Sequence, residues 1–174
     1  GSFNQVTDDG GTVGGGSGNV AGNADADTLN AMSATVSGGG GNTASGAFAT
    51  VPGGNNNTAQ GQYSFAAGRR AKANESGTFV WADGTDADFA STGVNQFLVR
   101  AGGGVGINTT SPGGAALAVA GNVAVQNQAD LVLQDSDGSN YVALQAPATV
   151  GSNLTFTLPS AYGSSGQMLQ TDGS

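Results

Sequence analysis

The sequence predicts an all-β protein, a homotrimer with a parallel β-roll towards its N-terminus and β-hairpin modules after it. Three observations predict this. Within residues 34–83, Gly38, Gly53 and Gly68 fall 15 residues apart, and a short fixed period with glycine at its corners marks a solenoid whose turns stack on one another. Past residue 96, larger apolar residues alternate with small or polar ones in short runs bounded by glycine, as in strands joined by turns. Leu, Ile, Val and Phe together number 32, no more than the 32 glycines, which is little bulky hydrocarbon for a core of the usual kind.

That shortage would suit a disordered chain, but charged residues make up only 9%, and disorder is normally sustained by charge. A chain so poor in large side chains can fold by burying them against copies of itself. The composition therefore points to an obligate homo-oligomer, read as a trimer, whose monomer is not stable alone. The net charge of −8 argues against a nucleic-acid partner, because phosphate binding needs concentrated Lys and Arg. Cysteine is absent, so disulfides say nothing of the compartment. No apolar run approaches the roughly 20 residues of a membrane span, and membrane insertion is not expected. The ends, Gly1-Ser2 and Asp172-Gly173-Ser174, read as those of an excised segment, with export and anchoring signals outside it.

In chain order, residues 1–32 are rich in Gly, Asn and Asp and read as an irregular first coil with an insertion over 24–32. Asp25 and Asp27 there are either solvated or a carboxylate pair on a metal. Residues 33–84 form the roll. Gly46, Gly61 and Gly77 make a second set of corners, spaced so that the third coil reads as one residue expanded, and Phe48, Tyr63 and Phe79 each follow two residues later. These aromatics are expected in one interior or inter-subunit column, the alternative being a sugar-stacking surface. Asn42 and Asn57 recur where a corner needs left-handed or Asx-turn geometry. Trp81, the only tryptophan, either caps the stack or, if exposed with Asp83 beside it, forms a platform for a sugar. Arg69, Arg70 and Lys72 carry most of the positive charge. They either pair between subunits with Glu75, Asp83, Asp86 or Asp88, or form an anion patch for acidic polysaccharide.

Residues 85–96 read as a polar connector and 97–159 as hairpin modules. Phe97 to Ala101 and Val105 to Ile107 form two strands about a glycine bend. Residues 116–120 and 123–126 flank the Gly121-Asn122 turn signal. Leu131 and Leu133, Val142 and Leu144, then Leu154, Phe156 and Leu158 alternate about Asp137-Gly138 and Gly151-Ser152. Residues 160–174 are a polar tail. The run Asp135-Ser-Asp137-Gly-Ser-Asn140 imitates half a calcium loop without the closing Glu, and a hairpin turn is the expectation.

Catalytic chemistry finds little purchase. With no histidine there is no Ser-His-Asp or Cys-His arrangement, and zinc and other cofactors are not expected. Gly102 to Gly106 lacks the lysine of a phosphate-cradling loop, and Asp83, Asp86 and Asp88 are poor candidates for a glycosidase pair because they fall in a loop.

Gly41-Asn-Thr-Ala-Ser-Gly46 and Asn57-Thr-Ala-Gln-Gly61, each followed by an aromatic, resemble the repeats of YadA-like heads in trimeric autotransporter adhesins. Phe97-Leu-Val-Arg-Ala-Gly-Gly-Gly-Val-Gly-Ile-Asn-Thr-Thr-Ser-Pro112 is similar to a module that follows such heads in phage tail fibres and in the modular trimeric adhesive fibres of predatory and other bacteria. Asn140-Tyr-Val-Ala-Leu-Gln-Ala-Pro147, Leu154-Thr-Phe-Thr-Leu-Pro159 and Gly166 to Ser174 resemble fibre sequence preceding a self-cleaving intramolecular chaperone. The resemblance covers residues 33–174. It implies a homotrimer of left-handed parallel β-rolls (a YadA-like head) followed by interleaved β-hairpin or β-prism fibre modules. It also implies an extracellular place on a bacterial surface or virion tail. The function expected is non-enzymatic adhesion to surface glycans by multivalent contact, or a structural stalk whose recognition lies in a separate tip. Within this segment a glycan site is expected near Trp81 and Asp83, with Arg69, Arg70 and Lys72 as the alternative.

Overall fold

Thr-Val and Thr-Ala dipeptides recur at fixed intervals between glycine-rich corners, and each becomes a short strand. The computed structural model describes residues 1–127, 129–150, 152, 153 and 155, and among these there is no helix. The chain divides into two compact units, Gly1–Gly121 and Asn122–Ser174.

The first unit is a parallel β-solenoid. One sheet stacks β1 (Gln5–Val6), β3 (Val20–Ala21), β5 (Thr43–Ala44), β8 (Thr58–Ala59), β10 (Ala71–Ala73) and β12 (Phe89–Ala90). The other stacks β2 (Thr12–Val13), β4 (Thr35–Val36), β6 (Thr50–Val51), β9 (Phe65–Arg69), β11 (Phe79–Ala82) and β13 (Phe97–Arg100), with β7 (Gly54–Asn55) beside β9. A further parallel pair, β14 (Val105–Ile107) with β15 (Leu117–Val119), brings the stack to about eight turns.

The interior shows why the composition is so light. Inward positions carry Ala21, Ala44, Ala59 and Ala73 from one sheet and Val36, Val51, Ala66, Val80 and Ala82 from the other, all fully buried. An interior lined in this way is filled by small side chains, and the larger Leu98 and Phe89 pack against it only partly buried. A shortage of bulky residues therefore does not by itself require copies of the chain to share a core, because the single solenoid closes one of Ala and Val.

Beside that core runs a polar spine. Asn19, Asn42 and Asn57 are fully buried. Asn42 donates from Nδ2 to the carbonyls of Gly38 and Gly54, both at 3.0 Å, while its Oδ1 accepts the backbone N–H of Asn57 at 2.9 Å. Asn57 repeats the pattern on Gly53, Gly68 and Ala71. Buried polar groups are tolerated only when paired, and a ladder of identical amides satisfies one coil from the next. The left-handed corners expected at Asn42 and Asn57 lie one residue earlier, at Gly41 (φ 63°) and Asn56 (φ 56°). The amides themselves face inward.

The register also departs from the glycine spacing. Gly54, not Gly53, pairs with Gly68. Thr58 lies over Lys72 and Phe65 over Phe79, so the third coil is one residue shorter than its predecessor rather than one longer. The Gly53-Gly54 pair left two registers open, and the strand ladder selected one.

The solenoid outlasts its visible repeat. The expected connector 85–96 contains β12, which pairs parallel with β10. Residues 1–32 supply β1, β2 and β3, with the extra residues looped out between β3 and β4. The hairpin expected about the Gly102 bend does not form, because β13 lies parallel on β11 and β14 parallel on β15. Nor do residues 123–126 form a strand across Gly121-Asn122. A glycine bend serves a hairpin and a solenoid corner equally well, and alternation does not say which way the chain turns.

In the second unit the expectation holds. β16 (Leu131–Gln134) and β17 (Tyr141–Leu144) are an antiparallel hairpin, Leu131 opposite Leu144 and Leu133 opposite Val142. The turn runs through Gly138 at φ 71°, with the Ser139 N–H on the Asp137 carboxylate at 2.9 Å. Leu154, Phe156 and Leu158 lie outside the described residues, as does the tail after residue 155.

Candidate functional site

The second sheet has an inner face of Val and Ala and an outer face of aromatics. Alternation along β11 buries Val80 and Ala82 and turns Phe79 and Trp81 outward. Register then aligns Phe65, Phe79 and Phe97 in one column, and Ala67, Trp81 and Val99 in the next. The phenyl rings stack at 4.7 and 4.6 Å between centroids, with interplanar angles of 5° and 15°. A separate corner stack pairs Phe48 with Tyr63 at 5.3 Å, both residues at positive φ. The single column expected for Phe48, Tyr63 and Phe79 is thus two. Phe79 belongs with Phe65 and Phe97 because the shortened third coil moves Gly77 into the corner position that Tyr63 holds one coil earlier, the Gly77 N–H bonding the Gln62 carbonyl. In the single chain Phe48, Tyr63 and Phe97 are exposed, Phe97 at 72%, while Phe65 and Phe79 are half-buried within their stack.

Trp81 does not close the end of the roll, since β13 covers its strand. It sits on the outer face, 38% exposed, beside a shallow groove of about 340 Å³ lined by Gly68, Arg69, Trp81, Ala82, Asp83 and Gly84. Three of the five expected site residues, Trp81, Asp83 and Arg69, therefore meet in one place. Arg70 and Lys72 do not line it. Arg70 follows Arg69 at the corner (φ 60°), and Lys72 lies on β10 in the other sheet, its Nζ donating to the Asn56 carbonyl at 2.7 Å and the Thr58 hydroxyl at 3.2 Å.

The charges around the groove are paired within the chain. Arg69 reaches Asp86 at 3.0 Å and the Gly84 carbonyl at 3.1 Å; Arg70 reaches Asp88 at 2.8 Å and Asp86 at 3.5 Å. Inter-subunit pairing is not needed to account for these two arginines. The Asp83 carboxylate accepts the Gly102 N–H at 2.8 Å, the Thr85 N–H at 3.1 Å and Arg100 Nε at 3.1 Å. These contacts, the Gly102 N–H first, hold its carboxyl well below the usual carboxylate range. Asp83 is thus the hub of a folded loop before it is a ligand-facing group.

Sequence reasoning missed Arg100. It occupies the inward position in register with Ala82, under the last coil of the paired sheets. There its guanidinium donates to Asp83 and to the carbonyls of Ala87, Thr85 and Arg69, with its carbon 5.3 Å from the Phe89 ring centroid. A cation–π contact and four acceptors satisfy a charge at the end of an apolar core. The available signal was an arginine in the phase that Val80 and Ala82 hold in the preceding coil.

Elsewhere, Asp25 accepts the side-chain amides of Asn30 and Asn23 and the Asp27 N–H, and the Asn30 bond first holds its carboxyl below the usual range. Asp27 caps the Leu29 N–H. These carboxylates order the inserted loop, and among the described residues no group of three or more His, Cys, Asp or Glu is placed to hold a metal ion. No helix among them is long and apolar enough to cross a membrane. No family model matches the chain, and no curated protein or solved structure matches it either.

Proposed function

We propose that the chain is a non-enzymatic segment of an extracellular homotrimeric fibre, on a bacterial surface or a virion tail, that adheres to cell-surface glycans through three copies of the Trp81 groove. The observation that carries this reading is the outer face of the second sheet. Phe65, Phe79 and Phe97 form one aromatic column there, with Phe48 and Tyr63 stacked at a corner, and exposed apolar patches of this kind mark association sites. Copies of the chain pack along the Phe column, at the strand ends away from Asp83, so that the groove stays open at the rim. The resemblance of the repeats to trimeric adhesin heads supports the same stoichiometry. A shallow groove binds weakly by itself, and three on one rigid body gain affinity through effective concentration.

Light scattering at micromolar concentration is expected to give a particle of three times the chain's 16.7 kDa; a folded particle of one chain's mass removes the trimer. Binding to glycan arrays or whole cells tests adhesion, and Trp81→Ala is expected to abolish it while leaving the particle mass unchanged.

A second reading is a structural spacer with recognition in a separate tip. It is favoured by the engagement of Arg69, Arg70, Lys72 and Asp83 in bonds within the chain. A spacer binds no glycan in the same assay.

A further inference from the structure

We infer that the Trp81 groove takes a neutral pyranose rather than an acidic sugar, an inference that rests on the glycan reading above and narrows it. A basic cluster in the sequence invites the opposite conclusion, and the geometry is against it. The guanidinium groups of Arg69, Arg70 and Arg100 are matched by the carboxylates of Asp83, Asp86 and Asp88, each arginine touching at least one of them. Lys72 bonds within the other sheet. The cluster is compensated where it stands, on a chain whose net charge is −8. A uronate or sialate carboxylate at Arg69 would lie close to Asp83 and Asp86, on a guanidinium whose charge Asp86 already balances.

What remains at the groove suits an uncharged polyol. The indole of Trp81 faces outward between the small side chain of Ala67 and Val99, an apolar plate for the C–H face of a sugar ring. Gly84 has open space on its side-chain side, so the plate is not walled off there. Arg69 has five N–H donors, of which Gly84 and Asp86 take one each. The Asp83 carboxylate is already engaged by the Gly102 and Thr85 N–H groups, the Thr85 hydroxyl and Arg100 Nε. The remaining N–H donors of Arg69, its charge already balanced by Asp86, flank the ring and suit the oxygen of a sugar hydroxyl.

Trp81 is the only tryptophan, so indole emission, excited selectively over tyrosine, reports on this groove alone. The chain would be titrated with a neutral β-linked hexose tetrasaccharide and with its uronate counterpart. The neutral sugar is expected to change the emission saturably. Its midpoint should move less than about twofold between about 0.05 and 0.5 M salt, a range over which screening of any charge contact changes severalfold. Arg69→Gln should weaken it a few-fold and leave the salt response flat. Uronate binding that weakens about tenfold or more over that range would overturn the inference and leave glycan adhesion standing. Cell or glycan binding with no change in emission for either sugar would place the site elsewhere and overturn it as well. Silence in both assays would remove the glycan reading with it and leave the spacer.

Discussion

At the scale of single residues, the fold depends on side chains whose type does not advertise their position. Asn42 resembles a turn residue and is a buried rung of the amide spine. Asn42→Ala strips acceptor and donor from Asn57, Gly38 and Gly54 at once, and unsatisfied buried groups cost about 1–3 kcal/mol each. The expected loss is about 3 kcal/mol in urea unfolding, against less than about 0.5 kcal/mol for the exposed Asn55→Ala. Asp83 supplies a pH dependence whose sign is fixed. Its folded pKa lies below the unfolded value of 3.8, so its contribution is fully present above that value and is lost as pH falls through the lower folded one. The melting temperature of the native chain should therefore approach that of Asp83→Asn as pH drops from about 6 towards 2. A gap that stays constant would mean that Asp83 is not held by Gly102, Thr85 and Arg100 as described.

At the scale of elements, register is what the sequence left ambiguous and the ladder resolved. Gly54 sits with φ 99° where a Cβ would strike the Gly68 carbonyl, whereas a Cβ on Gly53 meets nothing. Gly54→Ala should cost about 3 kcal/mol or more, from overpacking added to backbone strain, and Gly53→Ala about 1–2 kcal/mol from strain alone. Equal effects would return the coil to the spacing read from Gly38, Gly53 and Gly68. The outer column is the other element-scale feature. Phe79→Lys and Phe97→Lys place charge on an outer column that lies outside the Ala and Val core, so secondary structure should persist by circular dichroism while the particle mass falls to that of one chain. A folded trimer of either variant would move the contact between copies to another face. The hairpin β16–β17 is such an alternative, because Leu131, Leu133, Val142 and Leu144 share one exposed face and a two-stranded hairpin is marginal by itself.

At the scale of the whole molecule, the solenoid and the requirement for copies are separate questions. Ala21, Ala44 and Ala59 facing Val36 and Val51 make a core within one chain, so the case for a trimer rests on the outward Phe column and on the resemblance, and not on the residue count alone. The sequence by itself determined the class: Thr-Val and Thr-Ala strands between glycine corners cannot make helices, and a period near 15 residues stacks in parallel. It also placed Trp81, Asp83 and Arg69 close enough in the repeat to suspect a site, and it marked the Asp137-Gly138 hairpin. Only the tertiary structure decided how far the solenoid runs, which of two adjacent glycines sets the register, and that Arg100 ends the core between the two long sheets. The physical reason is common to all three. Glycine bends and two-residue alternation are local properties shared by hairpins and coils, while the choice between them is made by hydrogen bonds to a strand a whole turn away in the chain.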